Sequence, residues 1–299
     1  MLLKNLVLYR LTKKRIIKAE DLERKLAARA LQPPSGLEME SRGWLSPRED
    51  ERYLYSQAKH WLLTLGIEQK LLPTSVVRQL AKDRAAQISA KQGRPVGRKE
   101  MRDLRERITD ELLPRALVKR STTRAWIDAK GGWLAVDAGA DKKADEFLEA
   151  LRRAEDDFPC KRLDTQRSPG GAMTSWLATQ QAPHGFSIDQ DLELQSQDMS
   201  KSTIRYARHS LEGKEIRDHI KGGKSAMRLG LTWKDKISFV LTDQLHIKRI
   251  NFVNVLSEDA GGDPVDEEEQ FDIDFALMTG ELSQFLEDLV EALGGEKTA

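Results

Sequence analysis

The sequence predicts an α/β protein of the α+β kind, with mixed sheets and a helical hairpin projecting from them. Three observations carry that expectation. Short apolar runs with strand-like spacing recur along the chain, with stretches of helical period between them. Two consecutive helical stretches, at about 74–113, have apolar stripes too narrow for a deep core. The charge is segregated, although the formal net charge is only +1. Residues 78–124 hold 14 basic and 6 acidic residues, a net of +8, whereas residues 254–299 hold 14 acidic and 1 basic, a net of −13.

Taken in order, Leu6, Val7, Leu8 and Tyr9 with Leu11 read as a strand buried on both faces. The acid-free start MLLKNLVLYRLTKKR imitates a targeting segment, but Lys4 and Arg10 interrupt any signal-peptide apolar core. AEDLERKLAARAL places Leu22, Leu26 and Ala30 on one helical face, with Pro33 and Pro34 as its stop. Short strands follow at 43–45, 53–55 and 61–67. Pro73, Thr74 and Ser75 then open a helix, with Thr74 or Ser75 as N-cap and Val76, Val77, Leu80 and Ile88 at roughly helical spacing. A second helix, at 98–113, carries Met101, Leu104, Ile108 and Leu112 in one stripe and stops at Pro114. Gly93, Pro95 and Gly97 form the tip between the two helices.

TRAWIDAKGGWLAVDAG reads as a strand hairpin turning at Lys130, Gly131 and Gly132. The next helix has Asp141 as N-cap and Ala144, Phe147, Leu148 and Leu151 as its core face. Residues 159–171 connect two expected regions. The first, 1–158, is an N-terminal α/β region containing the basic hairpin insert; the second, 159–299, is a C-terminal α/β region with the acidic terminal segment. In the second region we expect a short helix near Trp176, strands at 192–194 and 203–208, a helix near Ile216 and Ile220, and strands at 226–233, 237–241 and 246–252. An acidic loop at 261–264 leads to the last element. Phe271, Ile273, Phe275 and Leu277 alternate as in a strand, but Phe271, Phe275, Met278, Leu282, Phe285 and Leu289 also fit a helix. We expect a strand, then a helix capped by Thr279.

The sequence offers little chemistry. Its one cysteine, Cys160, allows no internal disulfide and no cysteine zinc site, and suits a reduced thiol in a cytoplasmic protein. No apolar run reaches the roughly 18 residues of a membrane helix. Gly222, Gly223, Lys224 and Ser225 imitate the end of a P-loop, but Asp218 stands where that motif needs a glycine, so a helix C-terminal turn is the better reading. His60, His184, His209, His219 and His246 make no metal-like spacing, and no serine lies in a nucleophile elbow. Asp272 and Asp274 after Glu267, Glu268 and Glu269 would suit a metal-dependent nuclease only remotely, since alternating acids usually mark a solvated face. No catalytic residue, metal or cofactor is expected, and an enzyme is not the default.

The basic region remains. Some of its charge is laced along helix faces, as in Glu106 with Arg102 or Asp110 with Arg107. That leaves a tip group, Lys91, Arg94, Arg98 and Lys99, and a base group, Arg115, Lys119, Arg120 and Arg124, which acids in the sequence do not offset well. Surplus cations gain from releasing counterions on a nucleic-acid duplex, so phosphate binding is favoured over a plain solvated surface. No aromatic is interleaved with the tip arginines and no base-reading motif is present, which points to contact without sequence readout.

Several stretches together resemble one family, the bacterial recombination-associated protein RdgC. They are KNLVLYRLT, LPTSVVR, DELLPRA, KKADEFLEALR, LTWKDKISFVLTDQLHIKRINF, FDIDFALMTGEL and the closing LGGE, in order along nearly the whole chain. The resemblance implies a horseshoe-shaped subunit of a ring homodimer with a basic hole encircling duplex DNA. It also implies nucleoid association, restraint of RecA-dependent recombination, whether by touching RecA or by competing for DNA, and no enzymatic activity. Arg78, Lys82, Arg84, Arg94, Arg98, Lys99, Arg102, Arg115, Lys119 and Arg120 are the expected phosphate contacts, with Arg205 and Arg208 added where the family has a short basic strand. Two positions depart from the pattern: Leu2 and Leu3 replace a common Trp-Phe, and Leu117 replaces a common aromatic at the hinge or dimer contact. The alternative is an adaptor that acts through RecA or another protein.

Overall fold

The computed structural model describes residues 3–12, 17–48, 50–253 and 266–297. Leu2 and the acidic loop at 261–264 lie outside the described residues. The first elements are β1 (Leu6–Leu11), α1 (Ala19–Ala27), β2 (Glu40–Leu45), β3 (Leu54–Gln57) and β4 (His60–Leu71). The hairpin α2 (Thr74–Gln92) and α3 (Arg98–Leu112) follows, then a 3-10 turn at Leu113–Arg115, β5 (Leu117–Asp128), β6 (Trp133–Asp137), α4 (Asp141–Ala154) and β7 (Cys160–Arg162). The remainder is α5 (Pro169–Thr179), β8 (Phe186–Ser196), β9 (Thr203–Tyr206), α6 (Lys214–Lys221), β10 (Lys224–Trp233), β11 (Ile237–Thr242), β12 (His246–Phe252) and α7 (Glu267–Ala292).

Among the described residues, all twelve strands join one sheet, in the order β2-β4-β5-β6-β1-β12-β11-β10-β8-β9, with β3 on β4 and β7 on β1. Every strand pairing is antiparallel. The fold is therefore mixed α and β, built on a single antiparallel sheet where mixed sheets were expected. The apolar run of β1 has a direct cause: Leu6 and Leu8 enter one core and Val7 and Tyr9 the other, so the strand is buried on both faces. On one face α1 and α4 bury Leu22, Leu26, Phe147 and Leu151 against the N-terminal strands. On the other, α5, α6 and α7 cover a core that runs from Leu62 and Trp126 across to Leu194 and Ile247.

Several local expectations are corrected. The chain leaves α1 after Ala27, because Leu31 N–H donates to the Trp44 carbonyl and Trp44 N–H to that of Arg29, which draws Ala30 into a bridge with Trp44. Pro73, not Thr74 or Ser75, is the N-cap of α2, and its carbonyl accepts from Val76 and Val77. Asp141 does not cap α4; its carboxylate turns to Arg162 at 2.9 Å and His246 at 2.8 Å. The glycines after α6 do form a C-terminal turn, with Gly223 at φ +86° leading into β10.

The largest correction is α7. The expected strand at 271–277 is helical, and Thr279 lies buried inside one 26-residue helix, Glu267–Ala292. The helical set wins because Phe275, Met278, Leu282, Phe285 and Leu289 meet the sheet together, whereas Ile273 and Leu277 of the strand pattern stay 41% and 42% exposed. Phe285 lies edge-on to Phe239 at 4.8 Å between ring centroids, and Trp233 Nε1–H donates to Asp288 Oδ2 at 2.8 Å. Phe275→Ala should cost about 3–5 kcal/mol in denaturant unfolding, while Ile273→Ser should cost about 0.5 kcal/mol or less. Equal losses would return this segment to a strand buried through all four alternating residues.

Candidate nucleic-acid interface

The hairpin is placed by one ladder. β4 and β5 pair over twelve residues, from His60 with Asp128 to Leu71 with Leu117. β6 accompanies β5 only over Ala125–Asp128, so the rest of β5 runs on beyond it and carries the hairpin out from the sheet. The two helices then pack on each other around Val77, Ala81 and Ile108, with Leu80, Met101 and Leu104 partly buried beside them. This small core is separate from the two large ones, as narrow apolar stripes require. Gly93 ends α2 in the left-handed region at φ +66°, a conformation glycine takes without penalty, and the chain reverses there.

Helical period sorts the cations into two flanks, at about 100° per residue. On α2, Arg78 and Lys82 fall to one side of the Val77–Ala81–Ala85 stripe and Arg84 falls to the other. On α3, Arg98, Arg102 and Arg105 fall at i, i+4 and i+7 to one side of Ile108, and Glu111 to the other. Arg84 and Glu111 meet across the hairpin, with nitrogen–oxygen distances of 3.0 and 2.8 Å, and this contact identifies their shared flank. In an antiparallel pair the opposite flanks then also coincide. Arg78, Lys82, Arg98, Arg102 and Arg105 therefore share one surface, and all five are exposed. Among the described residues, the acidic partners near it are Asp103 and Glu106, 3.7 and 3.9 Å from Arg102.

Several expected contacts are spoken for by acids, which corrects the expectation that acids offset neither basic group. Arg94 grips Glu100 through both terminal nitrogens at 2.9 and 2.6 Å, and the same carboxylate accepts from Gly97 N–H at 2.9 Å. Together these bonds hold the Glu100 carboxyl down at about 2, with the Arg94 hydrogen bond as the main cause. The Arg84 hydrogen bond likewise lowers the Glu111 carboxyl. Arg120 bonds Glu68 at 2.9 and 2.6 Å and is the counter-ion of a nearly buried carboxylate. Lys99 points away from the α3 stripe, and Arg115 and Lys119 are exposed where the hairpin rejoins the sheet. Arg205 on β9 and Arg208 beyond it, at φ +54°, lie at the far edge of the sheet, remote from the hairpin. Arg105 is absent from the expected phosphate contacts, although its spacing from Arg98 and Arg102 is visible in the sequence. Leu117 is 77% exposed at the hairpin base.

The acidic C-terminal segment is engaged within the chain. Arg48 bonds Asp272 at 2.9 Å and Glu268 at 2.7 Å, and the Tyr55 hydroxyl donates to Asp272 at 2.6 Å. Burial and that bond to a carboxylate raise the Tyr55 pKa. Lys236 holds Glu281 and Lys234 holds Asp288. Among the described residues, no three His, Cys, Asp or Glu side chains gather as a metal site, and no helix is long and apolar enough to cross a membrane.

A sheet-based protein with a basic helical arm is the class that these features define. The model of one family, described as "Putative exonuclease, RdgC", matches residues 1–296. The chain is 50% identical over 296 residues to a recombination-associated protein RdgC of Janthinobacterium sp. (strain Marseille), covering 99% of each chain. It is 48% identical over 299 residues to that of Cupriavidus pinatubonensis, covering 100% of each, and 49% identical over 297 residues to that of Herminiimonas arsenicoxydans, covering 99% of each. The chain belongs to the RdgC family.

The tip geometry has a pH signature. A carboxyl lowered from 4.5 to about 2 lends stability that is present above its unfolded value and is lost as pH falls through about 2. Followed by NMR, Glu100 should titrate near 2 and move up towards 4 in Arg94→Ala. A wild-type midpoint already near 4 would contradict the Arg94–Glu100 clasp.

Proposed function

We propose that this protein binds the phosphate backbone of double-stranded DNA through the hairpin, with little sequence preference, and so restrains access of RecA to the duplex. The observation that carries this reading is the flank of Arg78, Lys82, Arg98, Arg102 and Arg105. Five cations share that surface with two carboxylates, both held loosely by Arg102 at 3.7 and 3.9 Å, on an arm that stands clear of the sheet. Guanidinium groups at this density displace condensed counterions from a duplex. No aromatic lies among them to stack on bases, so the contact is to phosphates. The paired arginines, Arg84, Arg94 and Arg120, shape and hold the arm rather than touch DNA.

The same reading includes a homodimer that surrounds the duplex. Leu71, Val76, Leu117 and Val118 form an exposed apolar group at the hairpin base, where β4 ends and β5 begins, and a second copy is the partner it suits. The protein acts on the nucleoid by occupying DNA and catalyses no reaction. Asp272, one of the acids a metal-dependent nuclease would draw on, is taken up by Arg48 and Tyr55.

Salt titration of duplex binding tests the proposal. Log affinity should fall with log salt at about 0.9 per phosphate contacted, and Arg98→Gln/Arg102→Gln/Arg105→Gln should flatten the slope by about 2–3, equally on unrelated sequences. Closed circular DNA should retain the protein longer than linear DNA with free ends. An unchanged slope in the triple variant would overturn the hairpin reading. Magnesium-dependent shortening of DNA by the pure protein would replace it with the exonuclease named in the family description.

A further inference from the structure

The two faces of the sheet are not covered alike. The core beneath α1 and α4 takes no residue from β8 to β12. Along those strands Leu192, Leu194, Leu229, Leu231, Leu241 and Ile247 point into the core on the α7 side. Their neighbours Asp191, Glu193, Arg228, Val240 and Lys248 therefore point to the opposite face, by strand alternation. Over this part of the sheet that face is mostly polar and, among the described residues, no core cluster covers it.

On it lies a shallow cleft lined by Arg205, Arg228, Lys248 and Arg249 with Asp191 and Glu193. Four cations thus meet two carboxylates. The pairings are loose: Arg228 Nε is 3.8 Å from Glu193 and Arg249 Nη1 is 3.6 Å from Asp191, both beyond hydrogen-bond length. Among the described residues, Lys248 and Arg205 have no ion-pair partner. Contrast Arg94 and Arg120, whose carboxylates sit at 2.6 Å. The backbone keeps the cleft in shape. Arg249 adopts φ +55° at a register shift between β11 and β12, and its N–H donates to Asn5 Oδ1 at 3.3 Å.

We propose that this cleft is a second phosphodiester site for duplex DNA, with Arg228, Lys248 and Arg249 as its contacts and Asp191 and Glu193 as the acids the phosphates displace. The inference rests on the DNA-binding reading of the hairpin and extends it to contacts three to five strands away from β5. At about 4.8 Å per strand that is roughly 14–24 Å, within one turn of B-DNA, about 34 Å. Phosphate suits the site because guanidinium binds it bidentately, whereas the carboxylates here hold the arginines only at arm's length.

The test compares salt slopes on one long duplex for wild type, the cleft variant and the hairpin triple variant. Arg228→Gln/Lys248→Gln should flatten the slope by about 1.8, or about 0.9 for each phosphate no longer neutralised. Its effect should add to that of the hairpin triple variant, since the two groups share no partner. Glu193→Gln removes a competing acid and should tighten binding without changing the fold. If the cleft variant keeps the wild-type slope and Glu193→Gln has no effect while the hairpin variant still flattens the slope, this inference is overturned and the hairpin reading stands. If neither variant changes the slope, both fall.

Discussion

The structure depends first on β1. Six residues near the start of the chain sit between β6 and β12, antiparallel to both, and give side chains to both large cores. A strand buried on both faces cannot slip by one residue without exchanging its two apolar sets, so its register is fixed tightly. Through β1 the strands that hold the hairpin and the strands that hold the open cleft become one sheet. The spacing between the two basic surfaces follows from that continuity and not from a flexible linker. Arg10 reinforces it at the end of the strand, lying over the Trp133 ring at 3.3 Å and bonding Glu296 near the chain's end.

The second constraint is how charge is divided. A cation bonded closely to a carboxylate is half neutralised and held in one rotamer, which builds structure. A cation without such a partner remains available to an anion. The hairpin uses both kinds. Arg84 with Glu111 ties its helices and Arg94 with Glu100 closes its tip, and these contacts leave the Arg98–Arg102–Arg105 stripe on the opposite flank. The acidic C-terminal segment follows the same logic, since Arg48, Lys234 and Lys236 use its carboxylates to fasten α7. Segregated charge in the sequence is therefore partly reunited in the fold, and the cations with no close carboxylate mark the surfaces we assign to DNA.

Much of this is legible in the sequence, for physical reasons. The hairpin can be read because Gly93, Pro95, Gly97 and Pro114 punctuate two narrow apolar stripes. β1 can be read because an unbroken apolar run of strand length has few other uses. The start of α7 cannot, because Phe271 and Phe275 satisfy periods of two and of four alike, and only packing on Tyr55 and the sheet decides between them. The N-caps of α2 and α4 fail for a shared cause: Thr74, Ser75 and Asp141 have the right chemistry, but a backbone carbonyl or distant cations took the role or the side chain. The cleft is invisible because its cations come from β9, β10 and β12, which adjoin only through sheet order and a register shift. Pairing is equally hidden for Arg120, whose acid, Glu68, is far away in sequence but directly opposite in the ladder.

The central claim is that pairing, not mere basicity, decides which arginines meet the duplex. Arginine-selective modification read by mass spectrometry, with and without bound DNA, tests this most directly. The account predicts that Arg98, Arg102 and Arg105 react readily in the free protein and become protected by the duplex. Arg84, Arg94 and Arg120, already bonded to Glu111, Glu100 and Glu68, should react slowly in both states. Protection spread evenly over all six, or confined to the paired three, would contradict it.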